Sequence, residues 1–435
     1  MELEKILVLS IFILMYVFIV IFSDKKTYVT GIAMVLIVTI MFAFQRASVM
    51  ELVKSIKFDV LFMLLGIMLS VGIFTLSGMP NKLADKMISK IPNSVVALIL
   101  LSVLSGLISA FVDNVATVLM LAPIGLAVAK KIDISPIPVL ISISVSSNLQ
   151  GAATLVGDTT SIMLADAVGM SFFDFFFMNG KFSIFWAVEL GALVTVPILY
   201  LIFRKSNKKM VYESENIQVN SMVPTYILLL NMLLLVVSSF VSVEINLFGK
   251  NILNGVICLV CGISSLIYYV LTKKGTFKSS VNDSIDWQTI FFLLFLFIII
   301  GSVDKIGIIK DLSNLFAKIG GKNIFLLYTI IVFGSVFLSA FIDNIPYVAT
   351  MLPVIAGISN QIPGLNPVVL YFGLLIGATL GGNITPFGAS ANVVAIGALK
   401  KEGYKVKNAD FFKIGIPFTM VAVFVGYLFC WLVWA

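Results

Sequence analysis

Apolar runs on the order of 20 residues recur from one end of the chain to the other, and they constrain the fold more than any other feature. Ile6–Phe22, Tyr28–Phe44, Phe182–Phe203, Tyr226–Val243 and Ile414–Trp434 are among them. Each can cross a hydrocarbon layer of roughly 30 Å as an α-helix, which satisfies its own backbone in lipid. A soluble fold fails on surface: 12% of the 435 residues are charged, about half of the roughly 25% usual in soluble domains. The expected class is an all-α polytopic membrane protein whose principal partner is the lipid bilayer. The first run leads through Ser23-Asp24-Lys25-Lys26 into a second, with no small-residue cleavage site, so it is expected to stay as a helix rather than act as a signal peptide.

Residue usage removes several chemistries. The chain has no histidine, which excludes histidine metal sites, Ser-His-Asp triads and histidine proton relays. Cys258 and Cys261 form a C-x-x-C inside an apolar segment without a second pair, a pattern that suits packing better than metal or redox chemistry. A net charge of +7 fits lysine-rich cytoplasmic loops and gives no reason to invoke nucleic acid.

Two halves repeat in order at a spacing of about 230 residues. Phe62–Gly78 (FMLLGIMLSVGIFTLSG) matches Phe291–Gly307 (FFLLFLFIIIGSVDKIG), SAFVDN at 109–114 matches SAFIDN at 339–344, and GAATLVGDTTSIM at 151–163 matches GNITPFGASANVV at 382–394. Pro123 and Pro353 each follow the aspartate of their half by ten residues. Similarity among apolar helices explains the first match but not the ordered polar ones. Residues 1–203 are expected to form the first repeat, 204–223 a cytoplasmic linker, and 224–435 the second repeat. Each half would hold five transmembrane helices plus one re-entrant hairpin, ten spans and two hairpins in all. The hairpins are expected at 94–130 and 324–360 with Asp-Asn at their tips, because one continuous helix of about 35 residues would run about 50 Å. Helices broken by glycine are expected at 136–163 and 366–399.

Five crossings are an odd number, so the second half should be inverted relative to the first. Of the 29 Lys and Arg residues, 19 then fall on one face and 10 on the other. The positive-inside rule makes the richer face cytoplasmic, with both termini outside.

Inverted repeats with broken helices at the midplane are the architecture of many secondary transporters. Half-helix N-termini beginning at Asn114 and Asn344 suit electron-rich oxygens, and unwound carbonyls near Gly151 and Gly382 suit a small cation such as sodium. Asp113 and Asp343 carry the sharpest expectation. A carboxylate at bilayer depth costs at least a few kcal/mol, so two at matching positions are expected to hold a cation or exchange a proton at one central site. The plainer alternative is that each caps the half-helix after it. Around these tips and breaks, Thr117, Thr154, Gly157, Asp158, Ser161, Thr385, Gly388, Ser390 and Asn392 complete the candidate ion- and substrate-binding set. Asp158 faces no acidic counterpart, since Ala389 stands at its repeat position, and is either a one-sided ion site or a helix cap. Glu189, alone in the fifth span, has no partner assignable from sequence.

These motifs resemble the ion transporter superfamily with its citrate transporter-like domain, and within it the branch of arsenite permeases, the melanosomal P protein and NhaD-type antiporters. AFVDNVATVLMLAP, GAATLVGDTTSIM, AFIDNIPYVATMLP and GGNITPFGASANVVAIG carry the resemblance, which covers nearly the whole chain. It implies an elevator-type secondary transporter in the plasma membrane, often a homodimer, without a cofactor and coupled to protons or sodium. In the dicarboxylate branch the tips read Ser-Asn-Thr. Asp113-Asn114 and Asp343-Asn344 stand there in this chain, which argues against a dicarboxylate site. The branch's Gly-Asp-Pro-Pro-Asn is here Gly157-Asp158-Thr159-Thr160-Ser161, while Asn392 keeps the asparagine of the second break. The expected function is a small-anion or arsenite permease driven by a proton or sodium gradient, with sodium/proton antiport as the alternative. A channel does not explain two half-gates. An intramembrane aspartyl protease would need Gly-x-Gly-Asp, and Leu155 stands where the first glycine belongs. No enzymatic activity is expected.

Overall fold

The computed structural model describes residues 3–209, 218–273, 277–321 and 323–435. The centre of the expected linker, 210–217, lies outside these. The described chain is helical throughout apart from two small antiparallel ribbons, β1–β2 (Phe177–Met178 with Lys181–Phe182) and β3–β4 (Asn246–Leu247 with Lys250–Asn251).

Before the linker the helices are α1 (Leu3–Ile21), α2 (Lys26–Ala43), α3 (Val49–Ser55), α4 (Phe58–Leu76), α5 (Met79–Ile88), α6 (Ser94–Ser109), α7 (Asn114–Lys131), α8 (Ile137–Gly151), α9 (Thr159–Val168) and α10 (Ile184–Phe203). After it come α11 (Val223–Ser238), α12 (Leu253–Lys273), α13 (Phe277–Ser284), α14 (Trp287–Lys305), α15 (Ile308–Gly320), α16 (Ile324–Ser339), α17 (Asn344–Ser359), α18 (Pro367–Gly381), α19 (Ser390–Lys401) and α20 (Asn408–Trp434). The second ten follow the first ten in order and approximate length.

Among the described residues, nine helices are long and apolar enough to cross a membrane, where sequence suggested ten. The two sets differ at the first hairpin, the first break and the span after the linker. Helix α7, assigned to a hairpin, meets the criterion at 18 residues; α11 has 16, and the helix through Gly151 is interrupted. Side chains such as Leu432, Leu271 and Phe337 project outward, as a lipid-facing surface requires.

Four short helices, α3, α5, α13 and α15, were not foreseen. Helices α5 and α15 start where a glycine takes a left-handed conformation, Gly78 at φ 76° and Gly307 at φ 83°. Only glycine adopts this without strain, so the long apolar helix ends there and the chain turns into an amphipathic one.

Packing divides the helices into two groups. Helices α1–α4 pack with α11–α14, chiefly through α4 against α12 and α2 against α14, while α5 lies mainly against α6 and α7 and α15 mainly against α16 and α17. At the first of these crossings Cα–Cβ bonds have no room: a Cβ on Gly66 would lie 2.1 Å from a backbone atom of Cys258. That close approach accounts for the C-x-x-C as packing. Helices α6–α10 pack with α16–α20, and at their centre lie α8 and α18, in which every residue from Val139 to Gly151 and from Val368 to Gly381 is buried.

Polar contacts also tie distant segments together. Lys5 pairs with Asp311, Arg46 with Glu4, Lys57 with Asp166 and Lys305 with Glu51, and Asn366 reaches Trp434 O at 2.9 Å. Ser94 donates to Ser206 O at 2.6 Å, Lys208 to Ile132 O at 2.7 Å and Thr27 to Gln288 O at 3.0 Å.

Candidate functional site

The site is built where two helix interruptions meet two helical hairpins. Helices α6 and α7 pack together and are joined by the four residues 110–113; α16 and α17 repeat this with 340–343. Helix α8 stops at Gly151 and α9 begins at Thr159, while α18 stops at Gly381 and α19 begins at Ser390. Each break lies against the end of its hairpin's first helix, where carbonyls lack helical partners. Thr154 Oγ1 donates to Ala110 O, and Thr385 Oγ1 donates to Ala340 O at 2.6 Å. The approach requires glycine. A Cβ on Gly157 would lie 2.5 Å from Gly151 O and 2.8 Å from Ser109 O, and one on Gly388 would lie 2.6 Å from Gly382 O and 3.0 Å from Ala340 O.

Both tip aspartates cap the helices that follow. Asp113 Oδ2 accepts from the backbone N–H groups of Val115 (3.0 Å) and Ala116 (3.1 Å), and Asp343 Oδ1 accepts from that of Ile345 (3.2 Å). Capping therefore accounts for part of their placement. It leaves unexplained why Asp343 also takes an ion pair from Lys26, with Nζ 2.6 Å from Oδ2.

The neighbouring asparagines carry hydrogen bonds between the halves. Asn114 Nδ2 donates to Asn148 Oδ1 at 2.9 Å, and Asn148 Nδ2 donates onward to Asn383 Oδ1 at 2.8 Å and Asn392 Oδ1 at 3.1 Å. Asn392 Nδ2 donates to Gly382 O and Thr385 O, both at 3.0 Å, and its Oδ1 accepts from Ser144 at 2.7 Å. The first tip is thus wired to the second break. The second tip reaches the first break: Asn344 Nδ2 lies 3.4 Å from Asp158 Oδ2, which also accepts from Thr160 Oγ1 at 2.8 Å. Asp158 stands at the N-cap position of α9, and through these contacts it also belongs to the second tip's surroundings.

A cavity of about 1080 Å³ opens onto these groups. Asp113, Asn114, Gly157, Asp158, Asp343, Asn344 and Ser390 line it. Thr117, Thr154, Ser161, Thr385, Gly388 and Asn392 do not; they lie behind the lining, where Thr154, Thr385 and Asn392 brace the breaks. Gly151 and Gly382 also lie behind it, as the helix-break carbonyls of Gly382 and Thr385 are taken by Asn392. Asp24, Asp283 and Asp286 add to the wall, so the lining holds six aspartates and a single lysine, Lys26. Glu189 is remote from this cavity. It accepts from Gln150 Nε2 at 3.2 Å and lines a separate, smaller cavity of about 300 Å³ with Trp186.

Sequence reasoning missed Lys26, Asn148 and Asn383. Asn148 left a signal in the run SISVSSNLQG, where Ser142, Ser144, Ser146, Ser147 and Asn148 all face the interior. A buried polar side chain without a partner costs about 1–3 kcal/mol, so such a density of them in one helix implies a network. Replacing Asn148 by leucine removes three of the network's hydrogen bonds and strands Asn114 Nδ2 and Asn383 Oδ1. We expect a loss of roughly 2–4 kcal/mol of stability, measured by thermal unfolding in detergent. Unfolding within a degree of the unmodified protein would mean the network is solvated and carries no stability.

The comparisons with known proteins agree with this geometry. A profile described as citrate transporter matches residues 15–377 and 252–435. An uncharacterized transporter of Mycobacterium tuberculosis is 30% identical over 437 residues, covering 98% of each chain. The P protein of Homo sapiens is 25% identical over 452 residues, covering 88% of this chain and 54% of its own. Among solved structures, the YdaH transporter of Alcanivorax borkumensis superposes with a TM-score of 0.61 at 14% identity, over 87% of this chain and 86% of that one. The chain is a multi-pass membrane transporter and belongs to the citrate transporter family of the ion transporter superfamily.

Proposed function

We propose that the chain is an ion-coupled secondary transporter working by alternating access, and that the transported or coupled species at its centre is a small cation. One observation carries this reading: both hairpin tips and Asp158 face a single cavity whose lining holds six aspartates against one lysine. An anion bound about 6 Å from one carboxylate meets roughly 3 kcal/mol of repulsion at an effective dielectric near 20. A cation gains by the same amount. Sodium/proton antiport is thus favoured by the geometry over the small-anion or arsenite permease that the sequence put first.

The inverted arrangement of the halves is part of the proposal. It is supported by the order of the helices, which repeats after the linker, and by the Lys5–Asp311 pair, which joins the start of α1 to α15, two places that an odd number of crossings per half would put on one side. The elevator movement is supported by the division into two packed groups, with tips and breaks confined to α6–α10 and α16–α20. Lysine excess puts the linker in the cytoplasm and both termini outside.

Proteoliposomes with an acidic interior test the function. Addition of sodium should dissipate the proton gradient, and a cysteine placed at Ser206 should label from the cytoplasmic side alone. A gradient indifferent to sodium, lithium and potassium, together with gradient-driven arsenite or dicarboxylate uptake, would overturn the cation reading in favour of the permease.

A further inference from the structure

Asp113 and Asp343 hold matching positions in the two halves, yet their surroundings differ by one charge. The Lys26 ammonium lies 2.6 Å from Asp343 Oδ2, with side-chain exposures of 16% and 19%, and 5.3 Å from the centre of the Phe292 ring. Among the described residues no lysine or arginine pairs with Asp113, whose Oδ2 is occupied by two backbone N–H groups. Lys26 begins α2, in one packed group, and Asp343 caps α17, in the other. The ion pair therefore bridges the two groups at the second tip. Tyr16 of α1 reaches the same helix, donating to Pro346 O at 2.7 Å.

We propose that the Lys26 ammonium is a built-in counter-ion for Asp343, which a monovalent cation must displace in order to load there. This rests on reading Asp343 as a cation-binding group, and it adds the element that sets the affinity and selectivity of that tip. A tethered ammonium competes as an intramolecular ligand, so a cation of single charge replaces it with no change in the charge at the carboxylate. The displaced ammonium has somewhere to go. Thr27, next in sequence, is held 3.0 Å from Gln288 O, close along the chain to Asp286, and Asp24, Asp283 and Asp286 line the same cavity as Lys26. The lysine thus exchanges one carboxylate for another without leaving the cavity. The first tip, lacking such a competitor, binds cations more tightly, so the two tips are unequal although the halves repeat.

The test uses full-length protein in detergent, titrated with sodium chloride against choline chloride while thermal stability is read. Lys26→Met keeps the aliphatic stem against Phe292 and removes the charge. Without its competitor Asp343 should bind sodium more tightly, and the concentration giving half the stabilisation should fall about tenfold, or about 1.4 kcal/mol. Lys26→Arg, which preserves an ammonium-like charge, should stay near the unmodified value. Lys26→Gln serves if the methionine variant fails to fold and should shift the same way. A sodium midpoint unmoved in both neutral variants overturns the counter-ion role while leaving the cation reading intact. If the unmodified protein shows no sodium-specific stabilisation, both fall together.

Discussion

Asp113→Asn and Asp343→Asn should each reduce ion-driven flux to the level of empty liposomes while leaving a folded, membrane-inserted protein. The argument separates charge from shape. An asparagine side-chain oxygen can accept the backbone N–H bonds that the aspartates now accept, from Val115 and Ala116 in one half and Ile345 in the other. The caps therefore survive. What an amide cannot do is neutralise a cation or release a proton. If the aspartates were caps and nothing more, the asparagine variants would transport normally, and alanine, which loses the cap at a cost of about 1 kcal/mol, would be the damaging substitution.

The two asparagine variants should also differ from one another in stability, which capping alone does not predict. Asp113→Asn disturbs no ion pair among the described residues. Asp343→Asn strips Lys26 of its partner at 2.6 Å, and breaking a largely buried pair from one side costs up to roughly 3–5 kcal/mol. Combining Asp343→Asn with Lys26→Met should restore most of that stability without restoring flux. Thermal unfolding and proteoliposome flux on the four proteins check this. Equal unfolding temperatures for the two single variants would remove the ion pair from the account, and flux in either would remove the carboxylates from it.

The contrast between these aspartates also marks how far the sequence could be read. Their identity and their glycine-broken neighbours were legible because they violate the apolar pattern locally, within a few residues, in two places at once. Lys26 was not, since it follows Lys25 at the edge of a span where basic residues are expected, and its partner lies 317 positions away. Asn148 was hidden differently. Its helix contains serines that bond to neighbouring helices, as Ser147 does with Asn114 O at 3.2 Å, so one amide among hydroxyls does not stand out. The short helices α5 and α15 escaped because their starting glycines look like ordinary small residues at the end of an apolar run. A left-handed φ is a property of the backbone, and composition does not reveal it. Spans and breaks follow from hydropathy and glycine, whereas the charged and amide contacts that make the cavity come from distant segments brought together.

Gly388→Leu should abolish transport, and even Gly388→Ala should impair it severely. Gly388 does not occupy a left-handed conformation. Its requirement is steric. A Cβ there would lie 2.6 Å from Gly382 O and 3.0 Å from Ala340 O, and both are backbone atoms that no rotamer change can move. Overpacking a tight interior commonly costs about 1–3 kcal/mol, and relief here demands that the break separate from the end of α16. That separation would lengthen the 2.6 Å bond from Thr385 Oγ1 to Ala340 O and shift the tip carrying Asp343, three residues further on. Gly397, in the same helix α19, supplies the control, because a Cβ there meets nothing within 4 Å. Gly397→Ala should transport normally and gain up to about 1 kcal/mol from helix propensity. Membrane insertion, thermal unfolding and flux should be measured on all three variants. If Gly388→Leu carries ions at the unmodified rate, the break does not need to lie against the hairpin, and the tip is positioned by other contacts.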